Sequence, residues 1–288
     1  MAALNPDLLD HIATASGLPF GRAEVVTGGD INQVYALESG SSRYFLKLND
    51  AHRFPAMFEK EAAGLALLHK HCNTLKIPDV IQSGNWQHKQ WLLMEWLHRG
   101  PAGENRMEAF GRALAQLHRC TNETFGLEYD NYIGSLVQHN DQKNHWPAFY
   151  TACRILPLVR LLRDSQVFTA QQVTRAETFC ARQAESFPEE PPELLHGDLW
   201  SGNYLVTSAN RVALVDPAVY FGHREMDIGL TLLFGGFPDA FYRGYQAAYP
   251  LAAGWRDRVR LTQLYPLLVH AVLFGGQYSR QVLTLLDT

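Results

Sequence analysis

Apolar and polar positions follow two rhythms along this chain. The opening run PDLLDHIATAS spaces its apolar residues at helical intervals, with Asn5 placed to cap it, Pro6 in the first turn and Gly17 closing it. Between Ala23 and Leu48 the rhythm shortens to that of strands: AEVVT, INQVYALE and RYFLKL are divided by GGD and by SGSS, which has hairpin chemistry. Residues 56–71 return to helical spacing, and two more strand candidates follow at 79–84 and 90–96. The pattern up to this point predicts a leading helix and then β-β-β-α-β-β.

Beyond Arg99-Gly100-Pro101 the spacing turns helical, beginning with residues 104–119. Residues 121–146 are polar with scattered aromatics and fit neither period. Two helices are expected between Pro147 and Phe187, the first interrupted by Pro157, and PEEPPE reads as a loop. LLHGDLWSGNYLVTSANRVALVDPAVYFG reads as a hairpin-like insertion, with helix from there to the end. The change of texture near residue 98 predicts two lobes, 1–97 and 98–288, rather than two tethered domains.

Composition narrows the class. Hydrophobic residues at 47% and charged residues at 19% are enough to build a large core and argue against disorder. A net charge of −4 offers no basic surface for a nucleic-acid backbone, so no nucleic-acid partner is expected. Cys72, Cys120, Cys153 and Cys180 lack metal-site or disulfide-framework spacing, which points to reduced thiols. The first residues lack the pattern of a signal peptide, and no apolar run is long enough to cross a bilayer. The expectation is a cytoplasmic protein with no membrane partner.

The densest chemistry is His196-Gly197-Asp198-Leu199-Trp200-Ser201-Gly202-Asn203, followed by an apolar run and Val215-Asp216-Pro217-Ala218. Phosphoryl transfer requires an acceptor hydroxyl held in line and metal ions that neutralise charge on the phosphates. An aspartate and an asparagine on one tight loop supply a hydroxyl-orienting base, Asp198, and a metal-ligand amide, Asn203. Asp216, after a short strand, supplies a carboxylate for magnesium, a hard ion that prefers oxygen. Taken alone, the same residue types also suit a surface turn.

The pattern resembles the kinase catalytic loop and metal-binding aspartate, with HGD in place of HRD and DPA in place of DFG. That resemblance implies a two-lobed α+β fold of the protein-kinase kind. Its N-terminal lobe would hold a five-stranded antiparallel sheet and a helix, and its C-terminal lobe would be mostly helical. It also implies ATP and Mg2+ as cofactors. Lys47, ending the third strand, would steady the phosphates, held by Glu61 of the next helix. Glu59 is the rival partner, but Glu61 directly precedes the apolar run AAGLALL. Gly28, Gly29 and Asp30 fall where a phosphate-covering loop belongs, although the same residues also suit a plain hairpin. Met94 would border the adenine pocket, with the Glu95 carbonyl and the Leu97 amide meeting the base.

The catalytic loop is shared by many small-molecule kinases, and other segments discriminate among them. Phe125-Gly126-Leu127, Asp130-Asn131-Tyr132-Ile133-Gly134, Gln138, Asn140, Trp146, Phe149, Arg154 and Pro157 are similar to a stretch of the fructosamine (ketosamine) kinases. So are the segment from Asp216 to Asp227, Leu233-Phe234-Gly235-Gly236-Phe237, and the tail Leu264-Tyr265-Pro266 through Gly276. The resemblance covers nearly the whole chain. It implies ATP-dependent phosphorylation of the 3-hydroxyl of a ketosamine, either a small molecule or one attached to a protein lysine, by a monomer or weak homodimer. The redox-linking cysteine that some relatives carry in the phosphate loop is absent from GGDINQVY.

Three candidates remain for the acceptor. Trp200 could pack on the sugar face or serve as a structural aromatic of its loop. His223 belongs to a polar cluster with Arg224, Glu225 and Asp227, of which Arg224 and Asp227 could brace the catalytic loop. Asp130 could, with Asn131, line the acceptor cleft or cap a helix. The rival functions are a kinase for an aminoglycoside, choline or sugar-like metabolite, and a non-catalytic binding module. The presence of Lys47, Asp198, Asn203 and Asp216 argues against the last.

Overall fold

The computed structural model describes residues 3–27, 31–101, 103–183 and 186–287. Its contacts divide the chain into two compact units, Met1–Pro101 with Leu205–Asp216, and Ala102–Tyr204 with Pro217–Thr288.

The first unit opens with α1 (Pro6–Ser16), where Asn5 Oδ1 accepts from Asp7 N at 2.8 Å and Leu8 N at 3.4 Å. Gly17 ends the helix in the left-handed region at φ 70°. The strands β1 (Arg22–Val25), β2 (Gln33–Ser39) and β3 (Ser42–Asp50) precede α2 (Met57–His71), and β4 (Val80–Trp86) and β5 (Lys89–Glu95) follow it. The five described strands form one antiparallel sheet in the order β1-β2-β3-β5-β4. Strand side chains alternate between faces. On one face, Tyr35, Leu37, Leu46, Leu48, Trp91 and Leu93 bury against Leu8 and Ile12 of α1. Lys47, between Leu46 and Leu48, is therefore turned to the other face.

In the second unit α3 (Glu104–Leu117) is followed by the short hairpin of β6 (Asn131–Ile133) and β7 (Leu136–Gln138). Within residues 121–146, which fit neither period in the sequence, this hairpin is joined by a bridge between Phe125 and Lys143. Next come α4 (Trp146–Phe149), a π-helical stretch Tyr150–Ile155, α5 (Leu156–Asp164) and α6 (Ala170–Gln183). Pro157 was expected to interrupt the first of two helices. Instead the chain widens before it: Leu156 N donates to Thr151 O, a π-type bond, so a residue without an N–H fits the following turn.

The HGD segment follows β8 (Glu193–Leu195). The strands β9 (Tyr204–Val206) and β10 (Val212–Leu214) pair with each other, and Lys76 fixes β10 in the first unit by bonds to Val212 O and from Leu214 N. β11 (Tyr220–Gly222) returns beside β8. The remainder is α7 (Glu225–Thr231), α8 (Asp239–Ala248), α9 (Trp255–Phe274) and α10 (Gln277–Leu286). α3 and α8 touch backbone to backbone, since a Cβ on Gly111 would lie 2.0 Å from Phe241 O and one on Gly244 2.0 Å from Glu108 O. The apolar core of this unit joins Phe149, Ile155, Val159, Leu162, Leu264 and Leu268. No helix among the described residues is long and apolar enough to cross a membrane. None of Cys72, Cys120, Cys153 and Cys180 is in a disulfide.

Candidate active site

Each unit carries a cluster of the predicted residues. In the first, Lys47 Nζ lies 2.6 Å from Glu61 Oε1 and 2.6 Å from Asp216 Oδ1. The lysine side chain is 5% exposed and that of Glu61 12%, whereas Asp216 is 51% exposed, so the cluster opens to solvent through Asp216. Burial would depress the lysine pKa, but the two carboxylates outweigh it and hold Lys47 well above its ordinary range. It is a fixed cation. Glu59 is exposed. Asp216 sits at φ 54°, an uncommon conformation for a residue with a Cβ, and its carboxylate is held by Lys47.

Also in this unit, Met94 is buried on β5, paired with Phe45 and Val80. The Glu95 carboxylate is bound to Lys76 at 2.6 Å and accepts from Asp79 N, while the Glu95 N–H donates to Asp79 O at 2.9 Å. Leu97, half-buried, follows the strand. Gly28, Gly29 and Asp30 lie outside the described residues.

In the second unit Asp198 is held from two directions. Asn203 Nδ2 donates to Asp198 O at 2.8 Å and to Asp198 Oδ2 at 2.9 Å, closing the loop on itself. Gly197 takes φ 82°, and a Cβ there would lie 2.0 Å from Ala218 O, so the second position of HGD requires glycine. Behind the loop, Asp227 of α7 accepts from His196 N at 2.8 Å and Gly197 N at 2.9 Å. Its Oδ2 also lies 3.2 Å from His118 Nε2, and the other His118 nitrogen is 2.7 Å from Tyr245 OH. Burial pushes the Asp227 carboxyl up, but the His118 contact and the backbone amides outweigh it and lower its pKa below the usual carboxylate range.

A second scaffold comes from the segment whose period could not be read. Asn131 Nδ2 donates to Val219 O at 2.8 Å, and Gln138 Nε2 to Ala218 O at 3.0 Å and Asn131 Oδ1 at 2.8 Å. Asn140 Nδ2 also reaches Asn131 Oδ1, and its own Oδ1 accepts from Arg154 at 2.8 Å. Tyr265 OH donates to Gln138 Oε1 at 2.7 Å. These buried amides clamp residues 218–219, and Ala218 N in turn bonds His196 O at 2.9 Å. Arg154 is fully buried and stacked 3.9 Å from the Tyr220 ring. Asp198 and Gly197 line a small cavity with Ile133, Tyr220, Met226 and Tyr265, among whose lining residues Asp198 is the acidic one.

The whole-chain comparisons agree with one another. A family model described as fructosamine kinase matches residues 7–288. The chain belongs to the fructosamine kinase family. It is 38% identical to a protein of Lactiplantibacillus plantarum named as a probable ketoamine kinase, over 91% of each chain. It is 34% identical to the chloroplastic protein-ribulosamine 3-kinase of Arabidopsis thaliana, over 100% of this chain and 89% of that one. The solved structure of a Thermobifida fusca protein, provisionally named a fructosamine-3-kinase, superposes with a TM-score of 0.88 at 33% identity, covering 99% of this chain and 98% of that chain. The fold is the α+β, kinase-like one, with its five-stranded antiparallel sheet in one lobe and a mostly helical second lobe.

The three acceptor-side candidates have different surroundings. Trp200 is 39% exposed beside the Asp198 loop, edge-on to Phe234 at 6.4 Å. Asp130 accepts from Asn140 N at 2.8 Å and lies 3.0 Å from His139 Nδ1, which ties its carboxylate to its own loop. His223 is fully buried between Trp146 and Phe187, 3.5 Å from Glu190, and burial lowers its pKa to about 4. Of the two expected braces, Asp227 holds the HGD backbone, while Arg224 pairs with Glu190 at 2.7 Å. The loop partners not foreseen are His118, Asn131, Gln138 and Asn140. A helical histidine without metal-site spacing reads as an exposed residue, yet His118 is fully buried, and its place in the apolar run ALAQLHRC is the one signal that could have shown this.

Among the described residues no group of three or more His, Cys, Asp or Glu side chains forms a metal cage. Asp216 in the first unit and Asn203 in the second each offer a hard oxygen, and because the Asn203 N–H groups are engaged with Asp198, its amide oxygen is the atom left to meet a cation. A sparse oxygen set fits magnesium, which binds through one or two protein oxygens together with substrate phosphates and water.

Proposed function

We propose that this chain is an ATP-dependent kinase that phosphorylates the 3-hydroxyl of ketosamines. The observation that carries the proposal is the rigidly held Asp198, bonded by Asn203 and backed by Asp227, in a chain of the fructosamine kinase family. Asp198 would orient the acceptor hydroxyl and take its proton as the O–P bond forms. Lys47, its charge fixed by Glu61, would neutralise phosphate oxygens. Asp216 and Asn203 would hold magnesium, which supplies charge neutralisation on the phosphates when bound. Met94 would border the adenine, the Glu95 carbonyl and Leu97 amide would meet its edge, and Gly28, Gly29 and Asp30 would cover the phosphates. Trp200 would pack on the sugar. Asp130 and His223 would act through the shape of the acceptor side rather than by contact.

The names of the relatives, a probable ketoamine kinase and a protein-ribulosamine 3-kinase, support a ketosamine acceptor over an aminoglycoside. A phosphate on C3 becomes a leaving group once the neighbouring carbons enolise. Elimination of phosphate and addition of water then free the amine, which makes the reaction a deglycation; that step belongs to the product and needs no residue of this chain. Magnesium-dependent ATP consumption against ribulosamine, erythrulosamine and fructosamine adducts, with an aminoglycoside and choline alongside, tests the proposal. Turnover of a ketosamine by the wild type and not by Asp198→Asn is the expected result. Turnover of a control acceptor alone would discard the substrate assignment.

A further inference from the structure

An aromatic surface in the second unit has no part in the roles assigned so far. Phe234, His270, Phe274 and Tyr278 converge, with ring centroids 4.6 Å apart for Phe234–His270, 5.0 Å for His270–Tyr278 and 5.5 Å for His270–Phe274. They come from the turn after α7, the last turns of α9 and the start of α10. Gly235 and Gly236, and again Gly275 and Gly276, take positive φ at the bends that bring them together.

This is not a closed core cluster. Phe274 is 58% exposed, the largest value among the exposed large hydrophobics, and Trp200 touches the cluster through Phe234. The surface is also continuous with the catalytic loop, because His270 lines the same cavity as Asp198. His270 is itself partly buried, which lowers its pKa, and its Nδ1 lies 2.8 Å from Pro266 O. The four rings are therefore uncharged at neutral pH and present π faces with no fixed cation among them.

We infer that this aromatic rim is the subsite for the amine side of the acceptor, holding the secondary ammonium of a ketosamine against Phe274 and Tyr278. The inference rests on the ketosamine reading above and deepens it. In a ketosamine the nitrogen is four bonds from the reacting oxygen, so it lies within about 5 Å of that oxygen at full extension. An ammonium that close lies by the cavity that His270 lines with Asp198, and the rings of Tyr278 and Phe274 stand 5.0 and 5.5 Å from that of His270. A rim of aromatic faces, with Phe274 exposed and Tyr278 half-buried, attracts a cation and tolerates variety in what the nitrogen carries. The cation–π contact is made to the charge, so it favours the glycated amine over the parent ketose.

The test compares an N-alkyl ribulosamine with its 1-O-alkyl analogue, in which an uncharged oxygen replaces the nitrogen. The analogue is followed as a substrate or, where it is not turned over, through its inhibition constant. Phe274→Leu and Tyr278→Leu keep an apolar side chain and remove the π face. Each is expected to lower kcat/KM for the ribulosamine by about 3- to 30-fold through KM, the range of a single cation–π contact. The ether analogue should change by less than about 2-fold, and KM for ATP should stay where it is. Equal losses on both acceptors would overturn the inference. So would a dimer that Phe274→Leu dissociates while both acceptors weaken together, since the rim would then be a contact between copies. If the wild type turns over no ketosamine, the underlying reading fails, and the wild-type assay alone reveals it.

Discussion

Asp227→Asn keeps the size of the side chain and removes one acceptor. In the native protein Oδ1 accepts from Gly197 N, and Oδ2 accepts from His196 N with His118 Nε2 3.2 Å away. Asparagine has one acceptor oxygen, so its NH2 must face a donor. The less costly orientation keeps the oxygen toward His196 and His118 and sets the NH2 against the Gly197 N–H. One buried backbone donor is then orphaned, at about 1–3 kcal/mol, and the surviving bonds lose their charge assistance. The expected sum is about 2–4 kcal/mol, read as a shift of the urea midpoint at constant m-value. Because Gly197 adjoins Asp198, the displaced loop should lower kcat by about 100-fold. KM for ATP should move little, since Lys47, Glu61 and Asp216 are bonded to one another and not to Asp227. The carboxyl pKa of Asp227 is lowered in the folded state, so its contribution is present above the unfolded carboxylate range and fades as pH falls through the lowered value. A change of less than about 0.5 kcal/mol, or an unaltered kcat, would refute this account of how the loop is held.

Three other outcomes follow from the same geometry. Lys47→Met leaves Glu61 buried without its cation and should reduce kcat/KM for ATP by about 100-fold or more, with KM for the ketosamine unchanged in steady-state assays. Gly244→Ala places a methyl 2.0 Å from Glu108 O and should cost about 1–3 kcal/mol by forcing α3 and α8 apart, visible as a lower Tm. His223 is buried as a neutral ring with its pKa lowered to about 4. The unfolded chain therefore binds its proton first, and stability should be full above about pH 6.5 and decline by about 3 kcal/mol as pH falls toward 4. In His223→Asn that part of the acid slope should be absent.

How much of this was legible in the sequence depends on the range over which each interaction acts. The α1 cap is a matter of three adjacent residues, so Asn5, Pro6 and Gly17 announce it. The contrast between Glu61 and Glu59 was readable because helical spacing decides which face meets the apolar run. Residues 121–146 were opaque because their strands are three residues long and their order comes from Asn131 and Gln138 bonding carbonyls 88 and 80 positions away, with Asn140 bracing Asn131. The pairing of His118 with Asp227 spans 109 positions and leaves no local pattern. Pro157 was read as a break because a π-turn, which accommodates it, has no sequence period of its own. The aromatic rim looked like ordinary apolar spacing, since Phe234, Phe274 and Tyr278 meet only when the two glycine pairs fold.

The measurement that bears most directly on the central claim is the position of the phosphate in the product. Ribulosamine, ATP and magnesium would be incubated with the wild type and the product examined by phosphorus–proton correlation NMR. The account predicts a single new phosphate ester coupled to the proton on C3, formed in step with ADP and absent with Asp198→Asn. A phosphate on any other carbon, or ADP formed without a phosphorylated ketosamine, would contradict it.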